Sequence, residues 1–337
     1  MFLIGLLSLA AVGGAAYAIG DVFDIDEDPG EDDVVDDQPP AVETGEFLDV
    51  GENVEEPEAP EISTGTIISE IEGDMIIAGT EDLDILTGQD GDDQINGYAG
   101  DDTIYGGEGD DTLHGGGGAD TIFGGTGQDV IHGEAGDDQI SGDEGDDVLY
   151  GHYGADHLDG GIGADELYGG QDDDILTGGQ GDDALHGGYG DDRLSGGEGE
   201  DVLFGGDGDD ILDGQDGEDT NALDFLNGGA GDDTILAEGG DIVTGGEGDD
   251  DIVVSPEADD DAVTVMDFQP GQDKLLISWE GQENPDIQIK TDTEDENLTH
   301  VIVDGQNVVQ LIGADGVSAD DIQLISSGDL AQLSALG

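Results

Sequence analysis

From Ile77 onward an apolar side chain returns every nine residues: Leu86, Ile95, Ile104, Leu113, Ile122, Ile131. Polar or β-branched residues flank each one, so the pattern x-apolar-x predicts a short strand with one side chain inward and two outward. The six residues between successive strands are rich in glycine and aspartate, which predicts a tight turn. With Gly79 as position one, the frame runs through Asp213 without a slip, giving fifteen copies. Position one is glycine and position six is Asp in every copy, and position eight is always Leu or Ile. Position four is glycine except at Asp82 and Asp172. Two strands and two turns would close a coil of eighteen residues. Asp93, Asp111 and Asp129 then share one edge, and Asp102, Asp120 and Asp138 the other.

The apolar phase reaches back through Ile77 and Ile68, where the aspartate is lost. This predicts a capping coil without a metal site. After Asp213 a five-residue insertion precedes Leu226, and two further copies, Gly228 to Leu236 and Gly245 to Val253, are separated by a unit one residue short. From 256 the pattern changes. VTVMDF, DKLLISW, IQIK, HVIVD, NVVQLI and DIQLI read as strands of a small β cap over 256–337. Residues 2–20 are uncharged and long enough for a helix across a bilayer, so a cleavable signal and an N-terminal membrane tether both fit. Residues 21–61 are acidic and hold five prolines, which predicts an extended linker before the roll of residues 62–255.

Charge narrows the function. Asp and Glu number 89 against three Lys and Arg, for a formal net charge of −86. Nucleic acid and anionic lipid surfaces are excluded as partners, and many cations are the natural complement. Stacked turns would bring carboxylates together with no basic residue to pair them. Calcium takes six to eight oxygen ligands, backbone carbonyls among them, and fits such an edge. The chain has no cysteine, so neither disulfides nor thiolate sites hold it. Asp24, Asp26 and Asp28 have the spacing of an EF-hand loop, but Pro29 stands where that loop needs glycine.

The repeat Gly-Gly-x-Gly-x-Asp-x-apolar-x resembles the RTX proteins with hemolysin-type calcium-binding repeats, found also behind serralysin-type secreted proteases. The resemblance implies an all-β, right-handed parallel β-roll with several bound Ca²⁺. It also implies export by a type I secretion apparatus. The expected calcium ligands are the position-six carboxylates Asp84, Asp93, Asp102, Asp111, Asp120, Asp129, Asp138, Asp147, Asp156, Asp165, Asp174, Asp183, Asp192, Asp201, Asp210, Asp219, Asp233 and Asp250. The extra aspartates at position five, such as Asp92, Asp110 and Asp182, lie outside this requirement and read as solubility.

No HExxH helix or GxSxG elbow is present, so no catalytic residue is assigned. The expected function is a non-enzymatic, exported calcium-binding roll, secreted or anchored at the cell surface. Its role would be structural or adhesive, and the alternative is an accessory module that assists folding or secretion of a partner enzyme or toxin. Position nine of alternate repeats places Asn96, His114, His132, Tyr150, Tyr168, His186 and Phe204 on one outer face. That row reads either as a strip for a surface glycan or protein partner, or as ordinary β-propensity on an exposed strand. The second reading is favoured.

Overall fold

The structure, a computed structural model, describes residues 64–71, 73–215, 222–256, 261–279 and 285–326. The signal or anchor segment at 2–20, the acidic linker at 21–61 and the last eleven residues lie outside the described residues.

The described chain is a parallel β-solenoid of two sheets, one of fifteen strands and one of twelve. Successive repeats alternate between them. Gln94–Ala99, Thr112–Gly117 and Val130–Ala135 follow one another in the larger sheet. Thr103–Glu108, Thr121–Thr126 and Gln139–Glu144 follow one another in the smaller. Pairing runs residue to residue at a step of eighteen, as at Leu113 with Ile131 and Ile131 with Leu149. One apolar residue per strand faces inward, from Leu86 to Leu212, and each is buried. The two files meet in a core one side chain thick on each side. Such a core is thin, because only one residue in nine contributes to it.

From Gln94–Ala99 to Val202–Asp207 each strand is twice the length that x-apolar-x predicts. Thr112–Gly117 carries positions seven to nine and then one to three of the next repeat. The pairing continues through Gly116 although its φ is +114°. Only Gly-x-Asp is left to turn the chain. Glycine supplies the backbone angles at both bends, as at Gly107 (φ +130°) and Gly109 (φ +129°).

Both ends differ from the simple repeat. Ile77 is buried as the phase predicts, but Ile68 is exposed. Its strand, Thr66–Ile71, turns back and pairs antiparallel with Asp74–Ala78, so the expected extra coil is a hairpin instead. Gly73 (φ +111°) between the two strands makes that reversal. Downstream, Leu203 pairs with Leu226 and Leu226 with Val243, so the solenoid absorbs both the insertion and the short unit without losing phase.

All six strands read from the sequence beyond 256 are present, from Val263–Val265 to Ile322–Ile325. Four of them extend the two sheets in parallel: Val263–Val265 and Gln306–Ile312 in the larger, Lys274–Ser278 and Ile322–Ile325 in the smaller. Only Ile287–Thr291 and Leu298–Val303 run antiparallel, closing the edge of the larger sheet.

Candidate metal centre

Every described position-six aspartate is buried, from Asp84 to Asp250, with 2% exposure or less. Each one sits at the end of a turn, immediately before a strand whose inner residue lies two positions on. That placement is dictated by the repeat itself.

The carboxylates form two uninterrupted ladders. On one edge the backbone N–H of Asp93 donates to Asp111 Oδ1, Asp111 to Asp129, and Asp129 to Asp147, at 2.7–2.8 Å. The same relation continues through Asp165, Asp183, Asp201, Asp224 and Asp241. On the other edge it runs from Asp84 through Asp102, Asp120, Asp138, Asp156, Asp174, Asp192 and Asp210 to Asp233, Asp250 and Asp273. The edges assigned from the eighteen-residue period are therefore the observed ones. The steps lengthen toward the end, to 3.1 Å at Asp233–Asp250 and 3.4 Å at Asp250–Asp273.

The second oxygen is what makes this a candidate metal centre. Oδ2 is buried with no hydrogen-bond partner at Asp102, Asp111, Asp120, Asp129, Asp138, Asp147, Asp156, Asp165, Asp174, Asp183, Asp192, Asp210, Asp233 and Asp250. A buried carboxylate oxygen without a partner costs several kcal/mol unless a cation meets it. Three basic side chains in the whole chain cannot answer so many. Position one shows where such a cation would find oxygen. A Cβ on Gly106 would collide with both Asp111 Oδ2 and the carbonyl oxygen of Gly124, so glycine there keeps open a space that a carboxylate and a carbonyl both reach. Among the described residues no three acidic or imidazole side chains already converge on one point. An ion held here therefore draws on backbone carbonyls as well, the donor mixture that suits calcium.

Electrostatics agree. Burial is the first cause raising the ladder carboxyls, with neighbouring carboxylates adding to it. Asp111, Asp120 and Asp129 rise to about 6, Asp138 and Asp147 to about 7, and Asp174 to about 8. The backbone N–H on Oδ1 pulls each of them down again, but not far enough. A cation beside such groups favours the ionised form and brings these values back down.

Four turns are different. Asp84 Oδ2 accepts from the N–H and hydroxyl of Thr80, Asp93 Oδ2 from Gln89 N–H, Asp241 Oδ2 from Glu238 N–H, and Asp273 Oδ2 from Gln269 N–H. In these turns a local N–H occupies the oxygen that is unsatisfied elsewhere, and at Asp84 alone of the four the other oxygen, Oδ1, is left buried without a partner.

Asp219, expected among the ligands, lies outside the described residues. The ladder place expected of it is held by Asp224, because the insertion delays the frame by five residues. Asp224, Asp241 and Asp273 were missed as ladder members, although each stands two residues before an inward apolar side chain, Leu226, Val243 and Leu275. The position-five aspartates also have a structural part. Asp92 Oδ1 accepts from Asp110 N–H, Asp110 Oδ1 from Gln128 N–H, and Asp182 Oδ1 from Glu200 N–H. They form an outer ladder whose bonds point the opposite way along the solenoid.

The family described as the RTX calcium-binding nonapeptide repeat matches residues 78–113, 114–149, 150–185, 186–220 and 223–252. The chain belongs to that family. The matched segments cover just over half of the chain and hold every ladder aspartate from Asp84 to Asp250. Membership implies calcium binding and accords with a secreted type of protein. No curated protein matches the chain. Among solved structures it is similar to the AlgE6R3 subunit of the Azotobacter vinelandii mannuronan C5-epimerase, at 24% identity over 45% of this chain and 78% of that one, with a TM-score of 0.21. It is also similar to the extracellular lipase LipA of Serratia marcescens, at 18% identity over 76% of this chain and 41% of the lipase, with a TM-score of 0.19.

The outer row expected at position nine exists. His114, His132, Tyr150, Tyr168, His186 and Phe204 stack in sequence at centroid distances of 4.7–5.0 Å, with planes within 10° of parallel. The ring faces therefore cover one another and the ring edges are turned outward. A sugar that binds by stacking on a ring face would find one only at the ends of the row.

Proposed function

We propose that the RTX roll is an exported, non-enzymatic calcium-switched scaffold whose role is structural or adhesive. The observation that carries the reading is the run of buried, unpartnered Oδ2 atoms along both ladders. At cytosolic calcium the ladders would hold uncompensated charge over a core one residue deep, and the unfolded chain would be favoured. In millimolar calcium each ion would join two turns and supply the folding free energy that the core lacks. Because each coil touches only its neighbours, weak sites act together, as in other one-dimensional arrays. An unfolded chain inside and a folded one outside is what export through a type I channel needs. The N-terminal apolar segment would tether the product at the surface or be removed.

The ions would lie along Asp102 to Asp233 and at Asp250, with Asp201 and Asp224 in the same ladder places. Asp93, Asp241 and Asp273, both of whose oxygens take an N–H, would close the array rather than ligate, whereas Asp84 would ligate through its buried, unpartnered Oδ1. The absence of HExxH and GxSxG signatures supports a non-enzymatic role.

The test is a far-UV circular dichroism titration of the chain with Ca²⁺, with Mg²⁺ as control. A cooperative coil-to-β transition with Ca²⁺ alone is expected. A chain that is already β in EDTA would show that the Leu/Ile files suffice and would sink the switch.

A further inference from the structure

Two strained residues mark a second kind of site on the outer face. Glu134 and His152 adopt φ of +80° and +79°. They pair with each other across adjacent strands, in a row continued by Gly116, Gly170 and Gly188. Those glycines take the same left-handed angles at no steric cost, whereas a residue with a Cβ loses about 1–2 kcal/mol there. The same angle recurs at Tyr98 and Asp143, so it is the contacts made by the Glu134 and His152 side chains that point to a use.

The side chains converge on the histidine row. His132 Nδ1 and His152 Nε2 lie 2.9 Å apart. The His152 ring leans on both His132 and Tyr150, at 5.2 and 5.6 Å between centroids. Glu134, two residues beyond His132, stands beside His152 and places Oε1 3.2 Å from His114 Nδ1.

We propose that His132, His152 and Glu134 form a site for a divalent transition-metal ion of the zinc, copper or nickel class, separate from the calcium ladders. Imidazole nitrogen suits these ions, while calcium requires oxygen donors. Zinc–nitrogen bonds of 2.0–2.1 Å at a tetrahedral angle put two ligand nitrogens roughly 3.3 Å apart. The observed 2.9 Å is closer, so a small rotation of either ring opens the pair for an ion. In the metal-free chain one imidazole donates to the other. No three-ligand cluster is preformed among the described residues, so the site closes on binding, with Glu134 turning from His114 to give the third ligand. The field of a chain with net charge −86 concentrates cations at this face, and the imidazoles select among them.

The test is a zinc chloride titration of the full chain in saturating Ca²⁺, read by calorimetry, with circular dichroism as the check on the roll. His152→Gly is the informative variant, because it removes a ligand and relieves the strained φ together, so its roll should be at least as stable. His132→Asn removes the other imidazole. One Zn²⁺ per chain is expected, at an affinity at least tenfold above that of either variant, while all three chains bind the same number of Ca²⁺ in the absence of zinc. Equal zinc affinity and stoichiometry in the wild-type chain and His152→Gly would overturn the proposal, since carboxylates alone would then account for the binding. The two readings fail separately: an unchanged number of bound Ca²⁺ leaves the ladders intact whatever zinc does.

Discussion

The backbone N–H of Asp129 donates to Asp147 Oδ1 at 2.8 Å, one full coil further along, while Asp147 Oδ2 is buried without a partner. One oxygen of each carboxylate is thus used to join coils, and the other is available to the cation we propose. The division explains why the residue is Asp and not Asn. An amide would make the same bond through its oxygen but would bring no charge to the second position.

Replacing Asp111, Asp129 and Asp147 together by Asn tests that division on one ladder. The Oδ1 bonds persist, so the roll is still attainable, but three adjacent sites lose their charge. The calcium midpoint should rise by at least tenfold, about 1.4 kcal/mol, and the transition should become less steep. A calcium titration followed by circular dichroism decides it. An unchanged midpoint and slope would show that the ladder does not bind as a unit.

Asp93 and Asp241 are the contrasting pair. Both oxygens of each already take N–H bonds, from Met75 and Gln89 at Asp93 and from Asp224 and Glu238 at Asp241, so Asn at both should leave the number of bound Ca²⁺ unchanged. Equilibrium dialysis against labelled calcium would show it. Loss of two ions per chain would mean that these turns open to ligate like the rest.

Glycine at position one is required by space, and non-glycine at position two is tolerated at a cost. A Cβ at Gly106 collides with Asp111 Oδ2 and the Gly124 carbonyl, so Gly106→Ala should destabilise the calcium-loaded roll by about 2 kcal/mol or more. Asp143 has φ +74° in a row with Gly125 and Gly161, so Asp143→Gly should stabilise it by about 0.5–1 kcal/mol. Thermal unfolding of the two variants should move the melting temperature in opposite directions. A shift in the same direction would contradict the assignment of which glycines are fixed by contact.

The phase of the roll was legible because each inward Leu or Ile is the sole core contribution of its repeat. A slip of one residue would expose it, as Leu113 and Ile131 show by pairing in strict register. The ladder positions followed from the same period. Three things did not follow. The strands run on through positions one to three because pairing survives the positive φ at Gly116, and no propensity scale expects a strand there. Asp224 was hidden because counting by nines from Asp210 falls on Asp219, while the apolar phase, read from Leu226, falls on Asp224. The part of Asp92 and Asp110 was hidden because their bonds go to backbone one coil away, and composition alone made them look like surplus charge.

Protons and calcium should compete for the same oxygens, and the sign can be worked out for the metal-free chain. Burial raises the ladder carboxyls to about 6 at Asp111, about 7 at Asp138 and Asp147, and about 8 at Asp174, against roughly 3.9 for an aspartate in an unfolded chain. Between these limits the roll binds more protons than the unfolded chain, so its stability falls as pH rises. The contribution is fully present below about pH 4 and lost progressively as pH climbs through 6 to 8. In EDTA the β signal should therefore grow on acidification from pH 8, with a midpoint near 6–7. In millimolar Ca²⁺ the signal should be present at pH 8, and the difference that calcium makes should shrink toward pH 4 as protons take the ligand oxygens. Repulsion among carboxylates in an unfolded chain also relaxes in acid, but at the ordinary carboxylate value of about 4, so the midpoint separates the two causes. A transition in EDTA centred near pH 4 would mean that general charge repulsion, and not the buried ladder, keeps the metal-free chain unfolded.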